Sequence, residues 1–368
     1  MNNVQIIYKK DSKDKIRYIK LFTSGNKLIQ QAGILGSEKY TEHIRECKAK
    51  NIGKSNETTP EEQAIKELEA KVKDKLQKEY FKTIEEAKNN IVIGAMLAKV
   101  YDKEKHKINW NSKDIFIQPK LDGVRCIAFK RGSDIKLMSR DYKPIKNMDH
   151  IIHKLQFLPD GIYDGELYIH GLSFQNIFSL ISKYRKGETE KIQYHIYDII
   201  DTIKSFKDRF IIPTYKGGYL KNIINENSII RFVKCGLIKE ENDILPITRT
   251  FVYTGYEGSI IRHGDNAYET NKRSSSLLKC KFFDDMICSL IDVLPSERNP
   301  LIGVPVLSYF NKATQKDYKF NSNIKCTVKE KMELLRNKEN YIGKKVNLRY
   351  FGLTDGFIPR MPVVIQII

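Results

Sequence analysis

Three groups of residues in this chain have types and spacings suited to chemistry on a charged substrate. Lys120 stands two residues before the Asp122–Gly123 pair in QPKLDGVRCIAFKRGSDIKLMSR, residues 118–140. A lysine is a nucleophile only as the neutral amine, whereas a free lysine titrates at about 10.4. Burial and nearby cations depress that value, and Arg125, Lys279 and Lys281 are the cations at hand. The second group is YDGELYI, where period-two alternation puts Asp164, Glu166 and Tyr168 on one face of a strand. Glu257 opens EGSIIR further on. Carboxylates so placed can hold a sugar hydroxyl or a hard cation. The third group is LLKCKFF, in which Lys279 and Lys281 are two apart and share a face. Two cations on one side of a strand suit a phosphate and the charge that develops on it. Each group also has a plain reading: an Asp-Gly turn, solvated strand-end glutamates, an amphipathic strand.

The elements around these groups set their geometry. Residues 118–140 read as a hairpin, with the Asp122–Gly123 turn aiming Lys120 and Arg140 at the far end. IFIQ, VRCIAF, IKLMS, GIYDGELYI, QYHIYDII and GSIIR read as short strands, with LSFQNIFSLISKYRK as a helix between them. Upstream, VQIIYKK, IRYIKLFTSG and KLIQQAGILG read as small antiparallel strands. Thr59, Pro60 and Glu62 then form a capping-box start to a helix whose apolar stripe is Ile65, Leu68, Val72 and Leu76. After KFFDDM come ICSLIDVL, VPVLSYF, KFNSNIKCTV, KKVNLRYFGL and MPVVIQII, strands enough for a small barrel of the OB type. The expected fold class is α+β in three parts. These are a small N-terminal α/β module at 1–90, a domain of antiparallel sheets and helices at 91–284, and a C-terminal OB-fold barrel at 285–368.

Composition narrows the partners. A net charge of +19 favours a polyanion, nucleic acid before an anionic membrane, although a Lys-, Ile- and Asn-rich composition supplies part of the excess. No apolar run approaches the about 18 residues of a membrane span, and MNNVQIIYKK has no apolar leader core. Cys47, Cys126, Cys235, Cys280, Cys288 and Cys326 form no C-x-x-C pair, which points away from zinc and towards reduced intracellular thiols. His150 and His153 read as a solvated surface pair.

Taken in order, the short segments resemble an ATP-dependent DNA ligase of the covalent nucleotidyltransferase superfamily, in the compact form of bacteriophages and related viruses. They are KLDGVR (120–125), SRDYKPI (139–145), DGELYIHG (164–171), YHIYDII (194–200), EGSIIR (257–262) and LLKCKFF (277–283). YIGKKVNLRYFGLTDGFIPRMPV (341–363) resembles the closing segment of the ligase OB domain. The resemblance spans about residues 95–368 and implies an adenylation domain followed by an OB domain.

It also implies roles. Lys120 would become the lysyl–AMP nucleophile. Gln118 would contact adenine and Tyr197 would stack on the base; Glu166 and Glu257 would hold the ribose and Mg2+ or Mn2+. Arg125, Lys279 and Lys281 would serve the nucleotide phosphates. Ser139, Arg140, Arg262, Lys272, Arg273 and Arg360 would meet DNA, with Asn271 a further nucleotide or phosphate candidate. The implied substrates are ATP and nicked duplex DNA. The implied setting is a monomeric enzyme of replication, repair or recombination in a bacterial or virus-infected cell, or one carried with virions. Two departures stand out. No R-x-D-K element closes the OB segment; Arg360 in IPRMPV stands there instead, and VVIQII lacks a basic residue, leaving the pyrophosphate-orienting group open. KLIQQAGILG with the capped helix resembles a WGR-type nucleic-acid module without its tryptophan and arginine. A GTP-using mRNA capping enzyme, an RNA ligase and an inactive nucleic-acid-binding scaffold are the alternatives.

Overall fold

The structure is a computed structural model that describes residues 4–11, 14–78, 80–89, 93–215, 217–221 and 228–368. The N-terminal strands β1 (Gln5–Lys10), β2 (Ile16–Ser24), β3 (Lys27–Ile34) and β4 (Tyr40–Glu46) form one antiparallel meander. Helix α1 (Pro60–Lys78) lies across it, and Ile7, Ile19, Leu21, Leu28 and Leu68 make the core between them. The capping box closes as expected: Thr59 Oγ1 accepts from Glu62 N at 3.2 Å, and Glu62 Oε2 from Thr59 N at 2.9 Å. One stripe position differs. Ile65 is 38% exposed and Ala64 is buried in its place, four residues before Leu68. Helix α2 (Ile84–Asn89) follows.

Two five-stranded sheets build the central region. The first contains β5 (Leu97–Val100), β6 (Phe116–Lys120), β12 (Gly236–Leu237), β13 (Gly258–Arg262) and β14 (Arg273–Cys280), in the order β12-β6-β13-β14-β5. The second contains β7 (Val124–Arg131), β8 (Asp134–Ser139), β9 (Gly161–Tyr168), β10 (Gln193–Ile199) and β11 (Ile230–Phe232), in the order β11-β10-β9-β7-β8. Both are mixed rather than purely antiparallel, since β5–β14 and β10–β11 are parallel pairs. Helices α3 (Asp149–Leu155) and α4 (Phe174–Ser182) pack on the second sheet, and α5 (Ile244–Tyr253) on the first.

The expected hairpin after Lys120 is not formed. Strands β6 and β7 belong to different sheets, and residues 121–123 carry the chain from one to the other. The hairpin is β7–β8, turning at Gly132 with φ +55°. Gly123 permits the crossing because a Cβ there would lie 2.4 Å from the Leu167 carbonyl oxygen. Lys120 therefore sits at the seam between two sheets rather than at the tip of one.

The last region is a six-stranded sheet, β17-β16-β15-β19-β20-β18, curled around Leu290, Leu307, Val346 and Leu348 as an OB-like half-barrel. Its strands are β15 (Asp284–Pro295), β16 (Gly303–Asn311), β17 (Lys316–Asn321), β18 (Asn323–Ile324), β19 (Lys345–Tyr350) and β20 (Val363–Ile367). The run expected as one strand through residue 328 ends at Ile324, and helix α6 (Val328–Arg336) begins soon after. Thr327 and Glu330 make its capping box, a T-x-x-E signal that overrides the β-branched residues around it.

Candidate active site

Strand register assembles the site. Lys120 at the end of β6 is opposite Gly258 at the start of β13, and Glu257 N donates to the Lys120 carbonyl at 2.9 Å. Ser259 is opposite Cys280, which sets Lys281 beside Glu257. Gly258 has φ +151°, and a Cβ there would lie 2.3 Å from the Cys280 carbonyl oxygen; only glycine lets the three strands close at this point. The Glu257 carboxylate then contacts both Lys120 Nζ and Lys281 Nζ. From the second sheet, Arg125 on β7 and His195 on β10 flank Glu166 on β9.

The result is a cavity of about 1000 Å3 between the sheets. Lys120, Glu166, Glu257, Lys279 and Lys281 line it, and so do Gln118, Arg125 and Tyr197. Burial pulls the Lys120 ammonium below the ordinary lysine value; Arg125 and Arg360 act the same way, against Glu166 and Asp122. Burial likewise lowers Lys281 to about 8, helped by Lys120, and it lowers Lys279. Glu166 lines the cavity, and burial raises its carboxyl to about 7 despite the nearby Lys120 and Arg125. Such a carboxyl gains when a cation or a hydroxyl donor enters. Among the described residues no three or more His, Cys, Asp or Glu side chains converge as a metal cluster.

Arg125 is held by Asp164 through two hydrogen bonds of 2.9 and 2.5 Å, and Tyr268 Oη donates to the same carboxylate at 2.6 Å. Its guanidinium lies 5.7 Å from the centre of the Tyr197 ring. Asp164 and Glu166 share the cavity face as expected, while the Tyr168 hydroxyl turns to His170 at 2.9 Å.

The expected DNA contacts separate into two sets. Ser139, Arg140 and Arg273 line the cavity, and Lys272 is exposed and not among its lining residues. Arg262 and Arg360 are placed otherwise. Arg262 is 4% exposed, with its guanidinium spent on Asp198, Gln118 and the Tyr197 carbonyl, so it presents nothing to a duplex. The alternation of GSIIR could not show which face is buried. Arg360 reaches from the OB-like region to Asp122, with contacts of 2.7 and 3.0 Å. Nearby, Lys281 Nζ lies 4.7 Å from the Phe351 ring, and Asp355 accepts from Ser173 Oγ at 2.8 Å and Asn176 Nδ2 at 3.2 Å. Asp198, Tyr268, Ser173, Asn176 and Asp355 were not anticipated. Asp198 lies within YHIYDII and Tyr268 between two recognised segments, but Arg262 and Asp164, to which they are bonded, are 64 and 104 residues away.

Lysines and carboxylates converge at a seam between two sheets, an arrangement suited to chemistry on a phosphate. The chain belongs to the ATP-dependent DNA ligase domain family, whose model matches residues 95–281. It is 28% identical over 282 residues to the DNA ligase of African swine fever virus (Warthog/Namibia isolate), covering 73% of this chain and 64% of that protein. The DNA ligase of the Tick/Malawi isolate is 27% identical over the same length. The chain thus spans about 64% of the length of these curated viral relatives. Two solved structures share the fold. One is Pmar-Lig_PreS3, with TM-score 0.63, 20% identity, and 75% of this chain and 67% of that one covered. The other is a Lig E DNA ligase structure described as DNA binding with a minimal scaffold, with TM-score 0.61, 20% identity, and 76% and 100% covered.

Proposed function

We propose that this protein seals nicks in duplex DNA with ATP, through a covalent Lys120–AMP intermediate. The observation that carries this reading is Lys120 at the seam, its ammonium value lowered by burial, beside a Glu257 carboxylate shared with Lys281. In the first step the neutral Lys120 amine attacks the α-phosphorus of ATP. A nitrogen–phosphorus bond forms, the bond to pyrophosphate breaks, and the amine proton is lost. Lys279 and Lys281 stand where they can balance charge on the phosphates. In the second step AMP passes from Lys120 to the 5′-phosphate of the nick. In the third the 3′-hydroxyl attacks that phosphate and AMP leaves. Each step is a phosphoryl-group transfer governed by positioning and charge.

Glu166 and Glu257 supply the oxygen donors that magnesium or manganese prefers, and the raised Glu166 carboxyl suits an added cation. Such an ion, when bound, would neutralise phosphate charge. Gln118 and Tyr197 belong at the base, and Ser139, Arg140 and Arg273 at the nick phosphates, with Lys272 beyond them.

The proposed division is an N-terminal accessory module at 1–90, an adenylation domain at 91–284 and an OB-fold domain at 285–368, the first of these a further nucleic-acid contact. Viral DNA ligase relatives favour work on DNA in an infected cell. No described helix is long and apolar enough to cross a membrane. The protein would act as a monomer around one nick.

The test is incubation of the full chain with ATP or GTP labelled at the α-phosphorus. Label from ATP is expected on the wild type and not on Lys120→Ala, whose nick sealing should fall at least about a thousandfold. Label from GTP alone would replace this reading with that of a capping enzyme. Sealing that requires ribose on the 3′ side of the nick would make it an RNA ligase.

A further inference from the structure

Lys120 and Arg125 are close in the chain but stand in different sheets, Lys120 at the end of β6 and Arg125 on β7. Their mutual placement therefore depends on how the two sheets are held across the seam. A buried tyrosine holds them here. Tyr268 is 2% exposed and belongs to the connection between β13 and β14 of the first sheet. Its hydroxyl donates to Asp164 Oδ2, on β9 of the second sheet, at 2.6 Å. It accepts from Met96 N, just before β5 of the first sheet, at 2.8 Å. Arg125 NH2 donates to the same oxygen at 3.4 Å.

The direction of these bonds is forced. A carboxylate only accepts and a backbone N–H only donates, so the phenolic proton points at Asp164 and the oxygen lone pairs face Met96 and Arg125. Asp164, 1% exposed, also accepts from Arg125 Nε at 2.9 Å and from NH2 at 2.5 Å. Turning the carboxylate would break one of its three bonds. Arg125 is thereby held by Nε and NH2, while its side chain keeps 18% exposure and lines the cavity with Lys120. The tyrosine is itself anchored. Its N donates to the Asp201 carbonyl at 3.0 Å, and the Arg209 guanidinium lies 5.7 Å from the centre of its ring.

We propose that Tyr268 is a positioning residue for the first step: its hydroxyl is a strut across the seam that fixes the Arg125 guanidinium against Lys120, so that both act on one nucleotide. The proposal rests on the nucleotide reading of the cavity given above. Removing the hydroxyl keeps the ring packed but leaves Asp164 with one donor fewer and Met96 N without its acceptor. The carboxylate can then turn, and Arg125 turns with it. A reacting group misplaced by about 1 Å costs up to about a hundredfold in rate.

The test is a mutant cycle read by single-turnover labelling of the full chain with ATP labelled at the α-phosphorus, over a range of ATP concentrations. In Tyr268→Phe the saturating rate should fall about ten- to a hundredfold, while the half-saturating ATP concentration moves less than about threefold. In the Arg125→Met background the same change should cost less than about twofold, because the group that Tyr268 positions is already gone. Asp164→Asn serves as the background if Arg125→Met does not fold, since it breaks the same link. Tyr268→4-aminophenylalanine returns a donor to the same place and should recover part of the lost rate; it also serves if Tyr268→Phe does not fold. A merely structural tyrosine would cost the same factor in every background. An unchanged saturating rate in Tyr268→Phe, or its full loss recurring in the Arg125→Met or Asp164→Asn background, would overturn the proposal while leaving Lys120 chemistry intact. Absence of label from the wild type would overturn both.

Discussion

Charged residues do different work in the Lys120 cavity and in the N-terminal meander. In the cavity nearly dry pairs prevail: the Arg262 and Asp198 side chains are 5% and 0% exposed. In the meander the pairs are wet: Lys27 and Glu46 are 49% and 68% exposed, and Arg45 reaches Glu67 while itself 70% exposed. Both regions carry the same residue types, so composition cannot distinguish them. The dielectric does. A buried pair loses hydration on both sides and cannot lose one partner cheaply, whereas an exposed pair exchanges one hydrated state for another. The cavity's charges therefore hold geometry, whereas the meander's charges stay hydrated.

The sharpest break in that contrast is Asp198→Asn. The substitution leaves Arg209 and Arg262 buried around a neutral amide. Removing one partner of such a network costs about 3–5 kcal/mol. Trp110, the single tryptophan, packs against the core of the first sheet, so its fluorescence in a denaturant titration reports the loss directly. A change below about 1 kcal/mol would place this network with the exposed pairs.

Glu166 offers a test with a sign. Its folded value is raised to about 7 from 4.5 by burial. Below the unfolded value both states are protonated and the group's titration contributes nothing to stability. As pH rises towards 7 the folded state keeps a proton that the unfolded state has lost, so stability falls, by at most about 3 kcal/mol. Glu166→Gln should remove that loss. Its melting temperature relative to wild type should be higher at pH 8 than at pH 4.5, in the absence of nucleotide and divalent ions. A difference independent of pH would show that Glu166 ionises freely.

Sequence carried much of the site because the chemistry lies within short strands whose register is local. Lys120, Glu257 and Lys281 meet through neighbouring strand pairs, and each segment could be recognised by itself. What was illegible depends on distance or on choice of face. Arg360 and Asp122 are 238 residues apart, and nothing in IPRMPV names its partner. Arg262 ends a strand whose alternation fits either face, and its burial is fixed only once Asp198 is placed by the second sheet. Asp-Gly fits both a hairpin turn and a crossing between sheets, so the residues after Lys120 do not distinguish the two. Thr327 and Glu330 announce helix α6, but the β-branched Thr327 and Val328 also suit a strand.

The smallest expected effect sharpens the other side of the contrast. Glu67 on α1 accepts from Lys50 at 3.2 Å and Gln63 at 3.0 Å, and lies 3.4 Å from Arg45. Its carboxyl is lowered: burial acts against the shift, but the Gln63 and Lys50 hydrogen bonds and the two cations outweigh it. A lowered carboxyl stabilises the fold above its unfolded value of 4.5, and the benefit disappears as pH falls through the folded value. Glu67→Gln should therefore cost less than about 1 kcal/mol at pH 7, since its cationic partners are more than half exposed. The cost should shrink as pH falls below 4.5, and also in high salt, which screens the exposed ends of the pairs. Calorimetry of the two proteins at low and high salt decides it. A loss of several kcal/mol that salt does not relieve would mean that the meander, too, holds its shape by buried charge.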